Sequence, residues 1–302
     1  MKQRITGVLS PVLTPFDADL KPDTQSFLRH CRWLVKSGVG LAPFGTNSEA
    51  ASLSVNEKME LLDALAEADI PMARVMAGTG ACSISDAVAM TRHAVDRSCA
   101  GVLMLPPFYF KNVSDDGLFA YYSETIERVG SESLRVYLYH IPAVSQVPIS
   151  LQLIERLLAR YPGTIAGIKD SSGDWSNTEA MLRSFQPHGF DVFSGSESFL
   201  LATLRAGGVG CITATGNVNP AAIARLAREW NNSDADEQQR SLDVTRAVFH
   251  KHGMIPAMKC AISQAWNVPS LAKPRPPLTA LSPDQAAALS ADLHAIGFAI
   301  SE

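Results

Sequence analysis

Through residues 1–232, apolar runs of strand length alternate with amphipathic segments of helical length. The runs are Thr6 to Leu13, Val39 to Phe44, Arg74 to Ala77, Gly101 to Leu105, Arg135 to Tyr139, Thr164 to Ile168, Asp191 to Phe193 and Val209 to Thr213. Each is followed by a turn and a helical segment. Several helices carry start signals, a short polar side chain ahead of the apolar periodicity: Asp23 before Phe27-Leu28, Ser54 with Glu57, Ser83 with Asp86, Ser150 before Leu151, and Ser176 with Glu179.

Strands that are apolar throughout, not alternating, belong to a parallel sheet buried on both faces. Eight such βα units closed on themselves predict a (β/α)8 TIM barrel over residues 1–232, carrying the active site. The rival, an open doubly wound sheet, announces itself with a glycine-rich turn after the first strand, and that position reads Thr14-Pro15-Phe16-Asp17. Residues 233–302 predict a C-terminal helical extension with helices over Asp234 to His252, Ile255 to Trp266 and Ser282 to Ile296. Lys273-Pro274-Arg275-Pro276-Pro277 reads as a stiff connector within it. Such helices would serve as a cap or an oligomer face.

Composition narrows the partners. With 46% hydrophobic and 19% charged residues the chain can bury a sizeable core, which argues against disorder. A net charge of −4 without a basic run excludes nucleic acid and anionic membranes as expected partners. Five cysteines, Cys31, Cys82, Cys99, Cys211 and Cys260, are odd in number and widely spaced, so they read as reduced thiols. No signal peptide and no apolar run long enough to span a bilayer are evident, and a cytoplasmic location is expected. No metal-ligand cluster stands out among the seven histidines.

The candidate chemistry begins at Lys169, which closes the apolar run Thr164 to Ile168 and precedes the turn Asp170-Ser171-Ser172-Gly173. An ammonium there must be solvated, paired or neutral. One reading is a lysine snorkelling at a strand end or paired with Asp170. The other is a nucleophile: an apolar surrounding disfavours the charged form, and a neutral amine attacks a ketone to give a Schiff base.

Barrel enzymes place their chemistry at the C-terminal ends of the strands. Gly45-Thr46-Asn47-Ser48-Glu49 follows the second run, and its small hydroxyl and amide residues suit a carboxylate, with Thr46 and Asn47 as candidates or, alternatively, as a capped turn. Tyr139 ends the fifth run and can exchange a proton with a substrate held on Lys169 if the two strands are neighbours; packing is its alternative role. Phe108-Tyr109-Phe110 follows the fourth run and also reads as an apolar contact patch. His140 should face helices or a loop, since Tyr139 points the other way. Gly207-Gly208 precedes the eighth run and is expected to allow close packing instead of gripping phosphate.

Taken in order, these motifs resemble the dihydrodipicolinate synthase and N-acetylneuraminate lyase family of pyruvate-dependent class I aldolases. The likeness runs from Gly7 and Thr14-Pro15-Phe16 through Gly45 to Glu49 and Leu53-Ser54 with Glu57. It continues through Pro107-Phe108-Tyr109 and Tyr139-His140-Ile141-Pro142 to Gly167-Ile168-Lys169-Asp170 and Ser194-Gly195. It implies a homotetramer built as a dimer of dimers, Lys169 as the Schiff-base lysine and Tyr139 as the proton shuttle. Thr46 and Asn47 would take the pyruvate carboxylate, and Tyr109 would lend its hydroxyl across a subunit interface. Gly195, Ser196, Glu197 and Thr213, with Thr215 and Asn217, are candidates for the distal part of the substrate.

Two departures bear on specificity. The synthases hold their second substrate with an arginine five residues after the tyrosine, where this chain has Val144; and Asn47-Ser48 stand where Thr-Gly is common. The expected reaction is cleavage or condensation of a 2-oxo acid, pyruvate plus an aldehyde, without metal or organic cofactor. Dehydration of a sugar-acid or hydroxyproline-derived 2-oxo acid through the same imine is the alternative reaction. Non-catalytic binding of a 2-oxo acid is the alternative class.

Overall fold

The computed structural model describes residues 4–300. Strands and helices alternate as β1 (Gly7–Ser10), α1 (Thr24–Lys36), β2 (Gly40–Leu41), α2 (Val55–Glu67), β3 (Met76–Gly78), α3 (Ile84–Asp96), β4 (Gly101–Met104) and α4 (Asp115–Val129). They continue as β5 (Val136–His140), α5 (Pro142–Ser145), α6 (Leu151–Arg160), β6 (Ile165–Asp170), α7 (Trp175–Phe185), β7 (Asp191–Ser194), α8 (Leu200–Arg205), β8 (Gly210–Ile212) and α9 (Pro220–Glu229). Three helices follow: α10 (Ala235–Lys251), α11 (Met254–Trp266) and α12 (Pro283–Ala295). The strands form one sheet in the order β2-β1-β8-β7-β6-β5-β4-β3, which is the sequential order of a (β/α)8 TIM barrel. Among the described residues no helix is long and apolar enough to cross a membrane.

The described chain divides into two compact units, residues 4–6 with 71–212 and residues 7–70 with 213–300. In the first, β4, β5 and β6 are buried at every position, including His140, Lys169 and Asp170 at the ends of β5 and β6. Glycine decides how closely they approach. A Cβ at Gly167 would stand 2.3 Å from the Asp191 carbonyl oxygen and 2.8 Å from the Tyr137 ring, and one at Gly101 would stand 2.8 Å from the same ring. The two bare positions leave room for Tyr137, whose hydroxyl donates to Asp191 Oδ2 at 3.0 Å. Pairing of β5 with β6 steps from Val136↔Ile165 to Tyr137↔Gly167, and past that irregularity Tyr139 lies opposite Lys169 and His140 opposite Asp170.

Most expected helix starts are observed: Ser54 with Glu57 forms a complete capping box, and Asp23, Ser83 and Ser150 each accept from the first turn of their helix. Ser176 is a correction. It lies inside α7, and Asp174 is the cap, accepting from the Ser176 N–H at 2.9 Å and hydroxyl at 2.8 Å. The helix begins at Trp175, so Ser176 is itself a first-turn donor to the Asp174 carboxylate and not the cap. Gly208 precedes β8, and a Cβ there would lie 2.4 Å from Thr203 Cγ2, consistent with close packing.

In the second unit, Phe249 of α10, Met258 and Ile262 of α11, and Leu289 of α12 share an apolar core with Leu13 and Val218. Asn217 ties this core to the backbone. Its Oδ1 accepts from Leu13 N and His30 Nε2 at 3.0 and 2.9 Å, and its Nδ2 donates to the carbonyls of Pro11 and Ala214. His30 therefore carries its proton on Nε2, and full burial drives its pKa from 6.5 down to about 4 against the opposing pull of Asn217.

Candidate active site

Lys169 sits inside β6, not just beyond it as the apolar run suggested, because the ladder to β7 continues through Lys169↔Phe193 and Asp170↔Ser194. Its side chain is 2% exposed, and so is that of Tyr139. Alternation along β5 and β6 puts these paired residues on one face of the sheet. The amine meets the aromatic face: Lys169 Nζ lies 4.2 Å from the Tyr139 ring centroid.

The other face takes Asp170 and His140. The Asp170 carboxylate accepts from the Thr178 hydroxyl at 2.6 Å, the Ser172 hydroxyl and N–H at 3.0 Å each, and Asn177 Nδ2 at 3.1 Å. Those four donors belong to the β6–α7 turn and the first turns of α7. They explain why Asp170 serves the scaffold instead of pairing with its neighbour Lys169. His140 Nδ1 accepts from the Ile149 N–H at 3.0 Å, and its Nε2 lies 3.9 Å from Asp170 Oδ1. Burial lowers the imidazole pKa while Asp170 raises it, with burial prevailing. The neutral tautomer with the proton on Nε2 satisfies both neighbours. His140 thus faces a loop, as the alternation required.

Further residues of the same unit separate by role. Gly195 is a packing necessity: its N–H donates to the Asp170 carbonyl at 2.7 Å, and a Cβ would meet Ser171 Oγ at 2.0 Å. The Ser196 hydroxyl accepts from the Ser198 N–H at 3.1 Å and so caps the short turn Glu197–Phe199, while Glu197 is buried. Tyr109 stands 78% exposed with its ring edge-on to Phe110, itself exposed, and its N–H donates to Cys82 Sγ at 3.3 Å. Val144, on α5, is 61% exposed.

In the second unit, Thr46, Asn47 and Ser48 form a single helical turn after β2. The turn is pinned on both sides. The Thr14 hydroxyl donates to the Ser48 carbonyl at 2.7 Å, and the Ala50 N–H returns to the Gly45 carbonyl at 3.2 Å. Glu49 follows in the left-handed region at φ 57° and is held through its carboxylate. Lys259 Nζ donates to Glu49 Oε1, both side chains being fully buried, and to the Lys273 carbonyl at 2.8 Å. The Arg275 N–H donates to Glu49 Oε2 at 2.7 Å, and the Arg275 side chain pairs with Glu57. That guanidinium holds the Glu57 carboxyl down at about 2. The Phe16 ring lies under both cations, 4.6 Å from Lys259 Nζ and 4.5 Å from Arg275 Cζ. Thr213, also buried, accepts from Arg246 at 3.4 Å.

Sequence reasoning passed over Lys259, Arg275 and Arg246. Lys259 had a signal, the one charge on α11, between Met258 and Cys260, and Arg275 had one in sharing a proline-rich connector with Lys273. Neither signal names its partner, because Glu49 lies 210 residues from Lys259.

Residues 4–296 match the dihydrodipicolinate synthetase family. The chain belongs to that family. Relatives in the dihydrodipicolinate synthetase family include a DapA-like lyase of Chloroflexus aurantiacus, 33% identical with 94% of this chain and 95% of that protein covered. A 4-hydroxy-tetrahydrodipicolinate synthase of Rhizobium meliloti is 31% identical, with 96% and 98% covered. Among solved structures, dihydrodipicolinate synthase from Agrobacterium tumefaciens superposes with a TM-score of 0.88 at 31% identity, covering 97% of this chain and 99% of that one. YagE, a prophage protein of the same family from E. coli K12 solved in complex with pyruvate, gives 0.88 at 25% identity with the same coverage.

Proposed function

We propose that this chain is a Schiff-base-forming lyase that cleaves or condenses a 2-oxo acid, pyruvate plus an aldehyde, through Lys169. The observation that carries the reading is a buried amine on β6 lying 4.2 Å from the ring of a buried tyrosine on the paired strand. Membership of a family whose relatives are named as lyases and synthases supports it, as does the pyruvate complex of YagE.

In the cleavage direction, the neutral Lys169 amine attacks C2 of the 2-oxo acid, and Tyr139 passes protons as the carbinolamine forms and loses water. The resulting iminium draws the C3–C4 bonding pair toward nitrogen. Tyr139, aided by the bound carboxylate, takes the C4 hydroxyl proton, the aldehyde leaves, and the enamine is protonated at C3. Water then adds at C2 and releases pyruvate with the amine restored. Thr46 and Asn47 are assigned to the carboxylate, and Gly195, Ser196, Glu197 and Thr213 to the distal part of the substrate. Val144, in place of the synthases' arginine, favours an aldehyde without a carboxylate at that position. The assembly we propose is a homotetramer, a dimer of dimers, in which a neighbouring copy covers Tyr109 and Phe110 and Tyr109 joins the proton relay.

Borohydride reduction with pyruvate, followed by peptide mass mapping, tests the reading. A reduced pyruvyl adduct on Lys169 is expected, together with loss of adduct and turnover in Lys169→Ala. Turnover by Lys169→Ala equal to that of the wild type would overturn it. Product analysis separates aldehyde plus pyruvate from a dehydrated 2-oxo acid.

A further inference from the structure

Tyr139 and Lys169 are not held alike by the sheet. Lys169 is paired on both sides, with Tyr139 on β5 and with Phe193 on β7. Tyr139 lies beyond the described register between β4 and β5, which ends at Met104↔Leu138, so the ladder holds the last two residues of β5 from the β6 side. At that one-sided end stands His140, a buried imidazole that the proposed reaction does not use. Its Nδ1 accepts the Ile149 N–H at 3.0 Å, and its Nε2 lies 3.9 Å from Asp170 Oδ1. Ile149 is a firm anchor, because the segment that carries it is tied down ahead of it. The Ser145 hydroxyl donates to the Ile141 carbonyl at 3.0 Å and accepts the Val147 N–H at 3.2 Å, and Lys111 Nζ donates to the Ser145 carbonyl at 2.7 Å. Burying an imidazole in place of an apolar side chain costs desolvation, which the bond to Ile149 offsets.

We propose that His140 is a positioning residue for Tyr139: its Nδ1 bond to the Ile149 N–H supplies a second anchor for the end of β5, and the Tyr139 ring on the opposite face is thereby kept against the Lys169 amine. The inference rests on the reading above, in which Tyr139 passes protons during imine formation at Lys169. Because His140 acts through one contact and on one residue, its loss has a defined signature. Without an acceptor at the Nδ1 position the Ile149 N–H is left unpaired, the end of β5 loosens on its β4 side, and proton transfer slows while binding of pyruvate does not weaken.

The test times reductive trapping of pyruvate on Lys169 by excess cyanoborohydride, recording the rate constant, the half-saturating pyruvate concentration and the final fraction of chains trapped, beside melting without ligand. His140→Leu and His140→Gln both lack an acceptor at the Nδ1 position, the first apolar and the second reaching toward Asp170, whereas His140→Asn places its amide oxygen there. The rate constant at saturating pyruvate should fall by about tenfold in the Leu and Gln variants and stay close to that of the wild type in His140→Asn. Half-saturation and the final fraction should not change. In a Tyr139→Phe background, His140→Leu should slow trapping no further. A wild-type adduct with undiminished rate constants in both the Leu and Gln variants, or an Asn variant as slow as they are, overturns this inference alone. So does equal slowing in the Tyr139→Phe background, which would place the effect outside Tyr139. A smaller final fraction at an unchanged rate constant, with a lower melting temperature, assigns His140 to the scaffold and overturns it as well. Absence of any adduct in the wild type overturns the Schiff-base reading and this inference with it.

Discussion

Lys259→Met should be among the most damaging single changes outside the reacting residues, and the size of the loss follows from what it leaves behind. The side chains of Lys259 and Glu49 are both fully buried. Methionine fills much of the lysine volume, but Glu49 Oε1 loses its donor and the carboxylate keeps the Arg275 N–H as its named hydrogen bond. Breaking a buried ion pair from one side costs about 3–5 kcal/mol, because the surviving charge is dehydrated without compensation. For a chain of 302 residues that corresponds to a melting temperature lower by roughly 5–8 °C. The pair itself contributes far less than its breakage costs. Burial outweighs the attraction of Glu49 and pulls the Lys259 amine from 10.5 down to about 8. Lys259→Met combined with Glu49→Gln should therefore recover most of the loss, ending within about 1–2 kcal/mol of the wild type. Urea unfolding at pH 7, read by circular dichroism for the wild type, both single variants and the double variant, closes the cycle. A loss of less than about 1 kcal/mol in Lys259→Met, or a double variant no more stable than that single one, would refute the reasoning.

Tyr139→Phe keeps the ring beneath Lys169 but removes the hydroxyl. Turnover should fall by about 10²–10⁴-fold while slow borohydride trapping at Lys169 persists, and unimpaired turnover would remove Tyr139 from the proton path. His30 sets part of the acid limit. Its folded pKa of about 4 lies below the unfolded 6.5, so the unfolded chain binds the extra proton and stability drops as pH falls from about 6.5 to 4. That drop amounts to about 3 kcal/mol from this group, and His30→Gln should show an acid limb shallower by that amount in unfolding measured across the window.

Period and punctuation make the repeating part of the fold legible in the sequence. A strand buried on both faces is apolar along most of its length, and β4 to β6, buried at every position, depart from that only at His140, Lys169 and Asp170 near the ends of β5 and β6. Exact ends were less legible, because the ladder and not the hydropathy decides where a strand stops. Lys169 closes the apolar run and Asp170 looks like the first residue of a turn, yet both are paired inside the sheet, Lys169 with Tyr139 and Phe193 and Asp170 with His140 and Ser194. The sequence pattern puts the start of α7 at Ser176, yet the helix begins at Trp175 and Asp174 caps it, accepting from the Ser176 N–H and hydroxyl. The Glu49 grip was illegible for a different reason. Its partners come from a helix and a connector more than 200 residues away, and charge pairing over that distance leaves no periodic trace.

The division of labour between Lys169 and Asp170 has a practical consequence for anyone moving this chemistry between chains. The two are consecutive, yet they answer to different owners: Lys169 belongs with Tyr139 on the preceding strand, and Asp170 belongs with Ser172, Asn177 and Thr178 downstream. A seam cut immediately after Lys169 would part the proposed nucleophile from the Asp170 network that anchors the end of its strand to the following helix. The smallest transplantable cassette that keeps both intact therefore runs from the start of β5 to the end of α7, Val136 to Phe185, and is not a motif of four letters.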